Sequence, residues 1–160
     1  MALLSPLRLR RLARQEHLRN QQTLITFQLS SYCFGLPIER ARRVLAWQDF
    51  QSVQEDGLEL LDTSRLLLGR GIPFLPQGVL LLQAGSCEDG PPNQVDNSKT
   101  MAMPLPSQPI LRRLAASQVQ PLPSRYAAQG RQRGIVGWIP PAEGRLPLLV
   151  FDPHLWSARP

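Results

Sequence analysis

The alternation of apolar and polar positions is sharpest between Leu24 and Trp47, LITFQLSSYCFGLPIERARRVLAW. Ile25, Phe27 and Leu29 fall on one side of an extended chain, with Thr26 and Gln28 on the other. After the polar break Ser30-Ser31, the residues Tyr32, Phe34, Leu36 and Ile38 again share a side. A period of two marks half-buried strands, and the short polar break between them marks a hairpin. The alternation resumes over Arg42–Trp47, with Arg43, Leu45 and Trp47 opposite Arg42, Val44 and Ala46, which predicts a third strand. Gly35 lacks a side chain, so a neighbouring group is expected to approach closely there. Pro37 belongs where no ladder donor is needed.

Downstream the elements stay short. Leu58–Leu61 reads as a strand entered by a turn at Asp56-Gly57. Asp62 is placed to cap a helix over Thr63–Leu68 that Gly69 ends. The segment GIPFLPQ, Gly71–Gln77, is a crossover broken by prolines. Gly78–Gln83 is a continuous apolar run and so a strand buried on both faces. Residues 85–100 are polar and rich in turn residues, which predicts a long hairpin loop. Met101–Pro104 and Ile110–Leu114 read as strands, and Gln120–Arg125 as an extended link fixed by prolines. Ile135–Ile139 and Leu146–Phe151 form a hairpin across PPAEGR. Asp152-Pro153 opens a terminal helical turn, with Leu155 and Trp156 as plugs for the core.

Before the first strand the pattern is different. Residues 1–22 interleave leucine with Arg8, Arg10, Arg11, Arg14 and Arg19. Ser5 and Pro6 suit the start of a helix. Leu4, Leu7, Arg11 and Leu18 do not make one clean apolar stripe. The segment is expected to form a basic arm that packs on the domain. An anionic membrane surface or an acidic partner is an alternative. It is Arg-rich and acid-poor like a transit peptide, but it has no continuous apolar run of the secretory kind.

Composition narrows the class. The chain of 160 residues fits one domain or two subdomains sharing a core. Sixteen prolines argue against long helices beyond the arm and for short strands joined by turns. About nine strands of this kind indicate a barrel or sandwich. The net charge of +6 is almost entirely arginine and points to an anionic partner without choosing one. No apolar run approaches the roughly 18 residues of a membrane span.

Candidate chemistry is thin. Cys33 and Cys87 form no CxxC, and His17 and His154 lie far from both, so no metal site is expected. Two cysteines make no disulfide framework, which points to a reducing cytoplasm. Asp62 and Asp152 each sit between an apolar strand and a helical turn. They are a conceivable carboxylate pair, but helix capping accounts for both. No phosphate-cradling glycine loop occurs and no nucleophile neighbours a histidine, so no catalytic residue and no cofactor are expected.

The order of these segments resembles the CheW-like domain. YCFGLPIERARRVL is similar to that family's second and third strands. GLELLDTSRLLLG is similar to its strand, Asp and short helix. GVLLLQ, MAMPL and PILRRL are similar to the strands that open its second sub-barrel. VQPLPSRYAAQG, IVGWIP and RLPLLVFDPHLW are similar to its closing segments. The likeness covers residues 23–156. SPLRLRRLARQ and LPSRYAAQG most resemble a branch found in photosynthetic bacteria, whose pathways control phototaxis and type IV pilus (twitching) motility.

The resemblance implies an all-β fold of two SH3-like five-stranded β-barrels, with a short basic N-terminal helix and a terminal helical turn. The sub-barrels would divide at roughly 70–78, and the first and last segments would share one barrel. It also implies a non-enzymatic cytoplasmic adaptor of two-component signalling, recruited to receptor arrays. A CheA-like histidine kinase would bind a barrel edge. The tip of a methyl-accepting chemoreceptor, or of a photoreceptor-like sensor, would enter the groove between barrels. Matching motifs puts Ala41, Arg43 and Val44 on the contact strand, flanked by Arg40 and Arg42. Trp47 is either a core lid or an exposed anchor, and the arginines are either contacts or simply solvated. Many members carry N-L-R-G after the third strand, whose Arg engages the receptor. Here QDFQSVQEDG has no such Arg, which weakens the receptor contact more than the fold. The rival reading is a basic small barrel that binds nucleic acid, which would require exposed aromatics among the arginines. The sparse aromatics at apolar-periodic positions argue against it, and no nucleic acid is expected as partner.

Overall fold

The computed structural model describes residues 5–52, 58–83 and 100–157. The loop expected over 85–100, and Cys87 within it, lie outside these residues except for Thr100, which begins a strand.

The chain begins with helix α1 (Pro6–Arg19), followed after Asn20 by the hairpin β1 (Gln21–Leu29) and β2 (Tyr32–Pro37). Ser30 adopts φ 57° in the tight turn between them. A 3-10 turn (Ile38–Arg40) leads to β3 (Ala41–Ala46) and the short α2 (Trp47–Gln51). Then come β4 (Glu59–Leu60), α3 (Thr63–Leu68), β5 (Gly78–Gln83), β6 (Thr100–Leu105) and β7 (Ile110–Ala115). A second 3-10 turn (Ala116–Gln118) precedes α4 (Ser124–Gln132), β8 (Ile135–Ile139), β9 (Leu148–Phe151) and α5 (His154–Ser157).

The strands form two mixed sheets. The larger has the order β7-β1-β2-β9-β8, and the smaller β3-β5-β6-β4. Most neighbours are antiparallel, but β2 pairs parallel with β9 and β4 parallel with β6. This corrects the expectation of two five-stranded barrels. The sheets have five and four strands, and neither closes, because β7 and β8 end one sheet and β3 and β4 end the other. The third strand stops at Ala46, and Trp47 opens α2 instead of extending it.

The core lies in three layers. Ile25, Phe27, Leu29, Phe34 and Leu36 of the larger sheet meet Leu80, Leu82, Met101, Met103 and Leu105 of the smaller in one shared cluster. The far face of the larger sheet buries Leu24, Leu114, Leu148 and Val150. The far face of the smaller buries Leu45, Val79, Leu81 and Ala102. β5 contributes to both faces of its sheet, as its unbroken apolar run predicts. Burial of this extent is the main source of stability. Gly35 meets the side chains of Leu24 and Leu148, the close approach expected of it.

Four local expectations are corrected. The extended link Gln120–Arg125 is extended only as far as Pro123, since α4 starts at Ser124. Tyr32 and Ile38 are exposed at the strand ends and do not share the burial of Phe34 and Leu36. Leu155 is exposed, so of the two residues expected as plugs only Trp156 packs on the core. The helix of the N-terminal arm does not pack on the domain as expected: α1 has no buried residue.

Candidate functional site

The motif residues converge on one edge of the smaller sheet. β3 pairs with β5 on one side and is an outer strand on the other. Its register shifts between Ala41 and Arg43, so Arg42 occupies a bulge. Bulges and charged side chains on an edge strand oppose strand-to-strand addition, which leaves the side chains to make contacts. Opposite partners share a face. Arg43, facing Leu81, and Leu45, facing Val79, therefore lie on the outer side of the sheet, and Val44, facing Leu80, on the inner side.

The three arginines differ in what holds them. Arg40 Nη2 forms an ion pair with Asp152 Oδ2 at 3.5 Å, and Nη1 donates to the His154 ring, 3.1 Å from Nδ1. The same carboxylate accepts from the His154 backbone N–H at 3.0 Å through Oδ1 and so starts α5. Arg42 Nη1 donates to Thr100 Oγ1 at 3.1 Å, tying the bulge to β6. Arg43 is exposed and makes no hydrogen bond or ion pair among the described residues. Ala41 packs against the shared core, whereas Val44 is 43% exposed.

Trp47 is half-buried. It covers the cluster of Leu45, Val79, Leu81 and Ala102 with Phe50, the two rings 5.4 Å apart. It also lines an open cavity of about 460 Å³ with Leu60, Ile72, Phe74 and Pro76.

Asp62 and Asp152 each hold a backbone N–H at the start of a helix, Asp62 as the N-cap of α3. Asp62 Oδ1 accepts from the Arg65 N–H at 3.2 Å, as Asp152 does for α5. No group of three or more His, Cys, Asp or Glu side chains among the described residues is arranged to hold a metal ion.

The second surface was not legible as residues. A groove of about 630 Å³ runs between α3 and α4, lined by apolar side chains that include Leu67, Leu68, Leu122, Ile135 and Leu149. Arg70 and Arg133 stand on its wall, as do Tyr32 and Tyr126. Gly69 takes φ 75° to end α3, and a Cβ there would lie 2.9 Å from Arg133 Nη2. The guanidinium therefore rests on the bare glycine and joins the two walls. The exposed aromatics Tyr32 and Tyr126 lie at this groove and not among the β3 arginines, although Arg125 stacks over the Tyr126 ring at 4.7 Å. The sequence signal that was available is the apolar pair Leu67-Leu68 opposite Leu122, but pairing them requires knowing that residues 124–132 are helical.

No protein-family model and no curated protein matches the sequence. Among solved structures the fold does have a counterpart, and it is CheW-like. The chain is similar to the scaffolding protein TtCheW from Thermoanaerobacter tengcongensis. The TM-score is 0.56 at 8% identity, over 83% of this chain and 85% of that one. No helix among the described residues is long and apolar enough to cross a membrane.

Proposed function

We propose that this protein is a non-enzymatic scaffold of a chemotaxis-type signalling pathway, holding a CheA-like histidine kinase beside a sensor. The observation that carries the reading is the likeness of fold to a scaffolding protein over most of both chains. Under this reading the kinase docks on the outer strand β3, where Arg43 and Val44 are exposed beside Arg40, Ala41 and Arg42, with Trp47 at the strand's end. An Arg that no carboxylate neutralises among the described residues is available to pair with one on a partner, which orients the complex more than it strengthens it. The helical tip of a chemoreceptor or photoreceptor-like sensor enters the groove between α3 and α4. Its apolar lining suits a helix, and Arg70 and Arg133 on its wall supply charge for a sensor's carboxylates. Phototaxis or type IV pilus motility is the pathway suggested by the segments SPLRLRRLARQ and LPSRYAAQG. The site of action is the cytoplasm, at membrane-associated receptor arrays.

The test is direct binding of the purified protein to the regulatory domain of a CheA-like kinase from the same genome, at low and moderate salt. Saturable binding that survives moderate salt and weakens in Arg43→Glu is the expected result. Absence of binding, with salt-sensitive retention on nucleic acid instead, overturns the reading.

A further inference from the structure

We infer that α1 is a docking element for anionic lipid surfaces, an inference independent of the scaffold reading. α1 has no buried residue, and its four leucines are all exposed, from 51% at Leu12 to 71% at Leu7. Five arginines and one glutamate accompany them along the helix. A helix of this length is marginal alone in water, and a leucine left in water stabilises nothing, so the composition calls for a surface that covers it.

The spacing says which surface. Residues 7, 11, 14 and 18 are separated by four, three and four positions and lie on one face of the helix, where they read Leu7, Arg11, Arg14, Leu18. A protein groove that took up both leucines would also have to desolvate the two guanidinium groups between them. A bilayer interface separates the two needs by depth. The leucines enter the acyl boundary, while the arginines extend their stems and reach lipid phosphates. Nucleic acid would use the arginines and leave the leucines in water.

The rest of the chain carries the same bias. Residues 5–37 and 106–157, which build the larger sheet, hold eleven arginines against three carboxylates. The described residues 38–52, 58–83 and 100–105, which build the smaller, hold five basic residues against four acidic ones. The helix therefore extends from the basic half. Only Asn20 separates α1 from β1, and its carbonyl accepts from the Ala116 N–H at 2.7 Å. A docked α1 would thus hold the larger sheet directly at the surface, without a flexible linker.

The experiment is sedimentation of the full chain with phosphatidylglycerol–phosphatidylcholine vesicles and with phosphatidylcholine vesicles alone, beside titration of a duplex DNA. Because α1 buries nothing, its variants keep the fold, which circular dichroism verifies. Expected are binding to the anionic vesicles only, and a fall of about tenfold or more in Arg11→Glu/Arg14→Glu. Leu7→Ser/Leu18→Ser should weaken vesicle binding several-fold, whereas Arg145→Glu, on an exposed loop, should not. Failure to bind anionic vesicles overturns the inference. So does binding that the α1 variants leave unchanged. Tighter binding to DNA, with the leucine variant equal to wild type, overturns it in favour of nucleic acid.

Discussion

The indole of Trp156 lies flat on the ring of Phe151, the centroids 5.6 Å apart and the planes 17° from parallel. Its Nε1–H donates to the Arg133 carbonyl at 2.9 Å, and Gly134 follows at φ 77°. A Cβ on Gly134 would lie 2.6 Å from that same Nε1. Gly134→Ala therefore meets both an unfavourable backbone conformation and the indole. It should cost roughly 1–3 kcal/mol from the backbone alone, with the clash in addition. Trp156→Phe keeps an aromatic ring near Phe151 but loses the hydrogen bond and part of the indole's packing on the core, for about 1–3 kcal/mol. Urea unfolding measures both. Equal midpoints for Gly134→Ala and wild type would show that the turn relaxes freely around the added methyl.

Ser64 joins the start of α3 to the crossover. Its hydroxyl donates to Asp62 Oδ1 at 3.1 Å and accepts from the Ile72 N–H at 2.9 Å, and the residue is 1% exposed. Asp62 is exposed, and its loss removes one cap, worth about 1 kcal/mol. Ser64→Ala leaves the Ile72 N–H without that partner in a partly buried place and also removes the hydroxyl's bond to Asp62, which together cost about 1–3 kcal/mol. Ser64→Ala is thus expected to be the more damaging of the two, although Asp62 is the residue a sequence reader selects. Thermal unfolding of the two variants side by side decides the order.

Which features were legible follows from how local their causes are. Alternation sees a strand whose two faces differ, and so found β1, β2 and β3. An unbroken apolar run sees β5 because both of its faces are buried. Asp62 and Gly69 bracket α3 with side-chain and backbone signals within eight residues. Two errors have the opposite cause. Pro121 and Pro123 suggest an extended link, but Pro123 only precedes α4, a place where proline costs a helix nothing. Whether the sheets close depends on strand pairing between residues far apart in sequence, such as β2 with β9, which no local pattern records. For the site, the arginines of β3 were legible as charges on an alternating strand. That Arg40 and Arg42 are held by Asp152 and Thr100 while Arg43 is not emerges only in three dimensions.

Gly35 tests a feature that sequence and structure read alike. A Cβ there would lie 3.2 Å from Leu24 Cδ1 and 3.4 Å from Leu148 Cδ1, and those two residues are 0% and 1% exposed. Both leucines are buried, so they would have to shift within the core to make room. Gly35→Ala should cost about 1–3 kcal/mol by overpacking, despite the lower entropy of alanine in the unfolded chain. A variant as stable as wild type in urea would show that the leucines repack without strain.

Arg40 and Arg43 separate stability from recognition on the same edge. Arg40 is 40% exposed at its side chain, so its ion pair with Asp152 is screened by water. Arg40→Ala should cost about 0–1 kcal/mol of stability. Arg43 makes no polar contact within the described fold, so Arg43→Glu should leave stability within about 0.5 kcal/mol of wild type. If β3 is the docking edge, Arg43→Glu should nevertheless weaken binding to the kinase regulatory domain about tenfold or more, because it places like charge against the partner's carboxylates. Denaturation and a binding titration on the same preparations test both halves. A stable Arg43→Glu protein that binds the kinase domain as tightly as wild type would remove β3 as the docking edge and leave the fold assignment untouched.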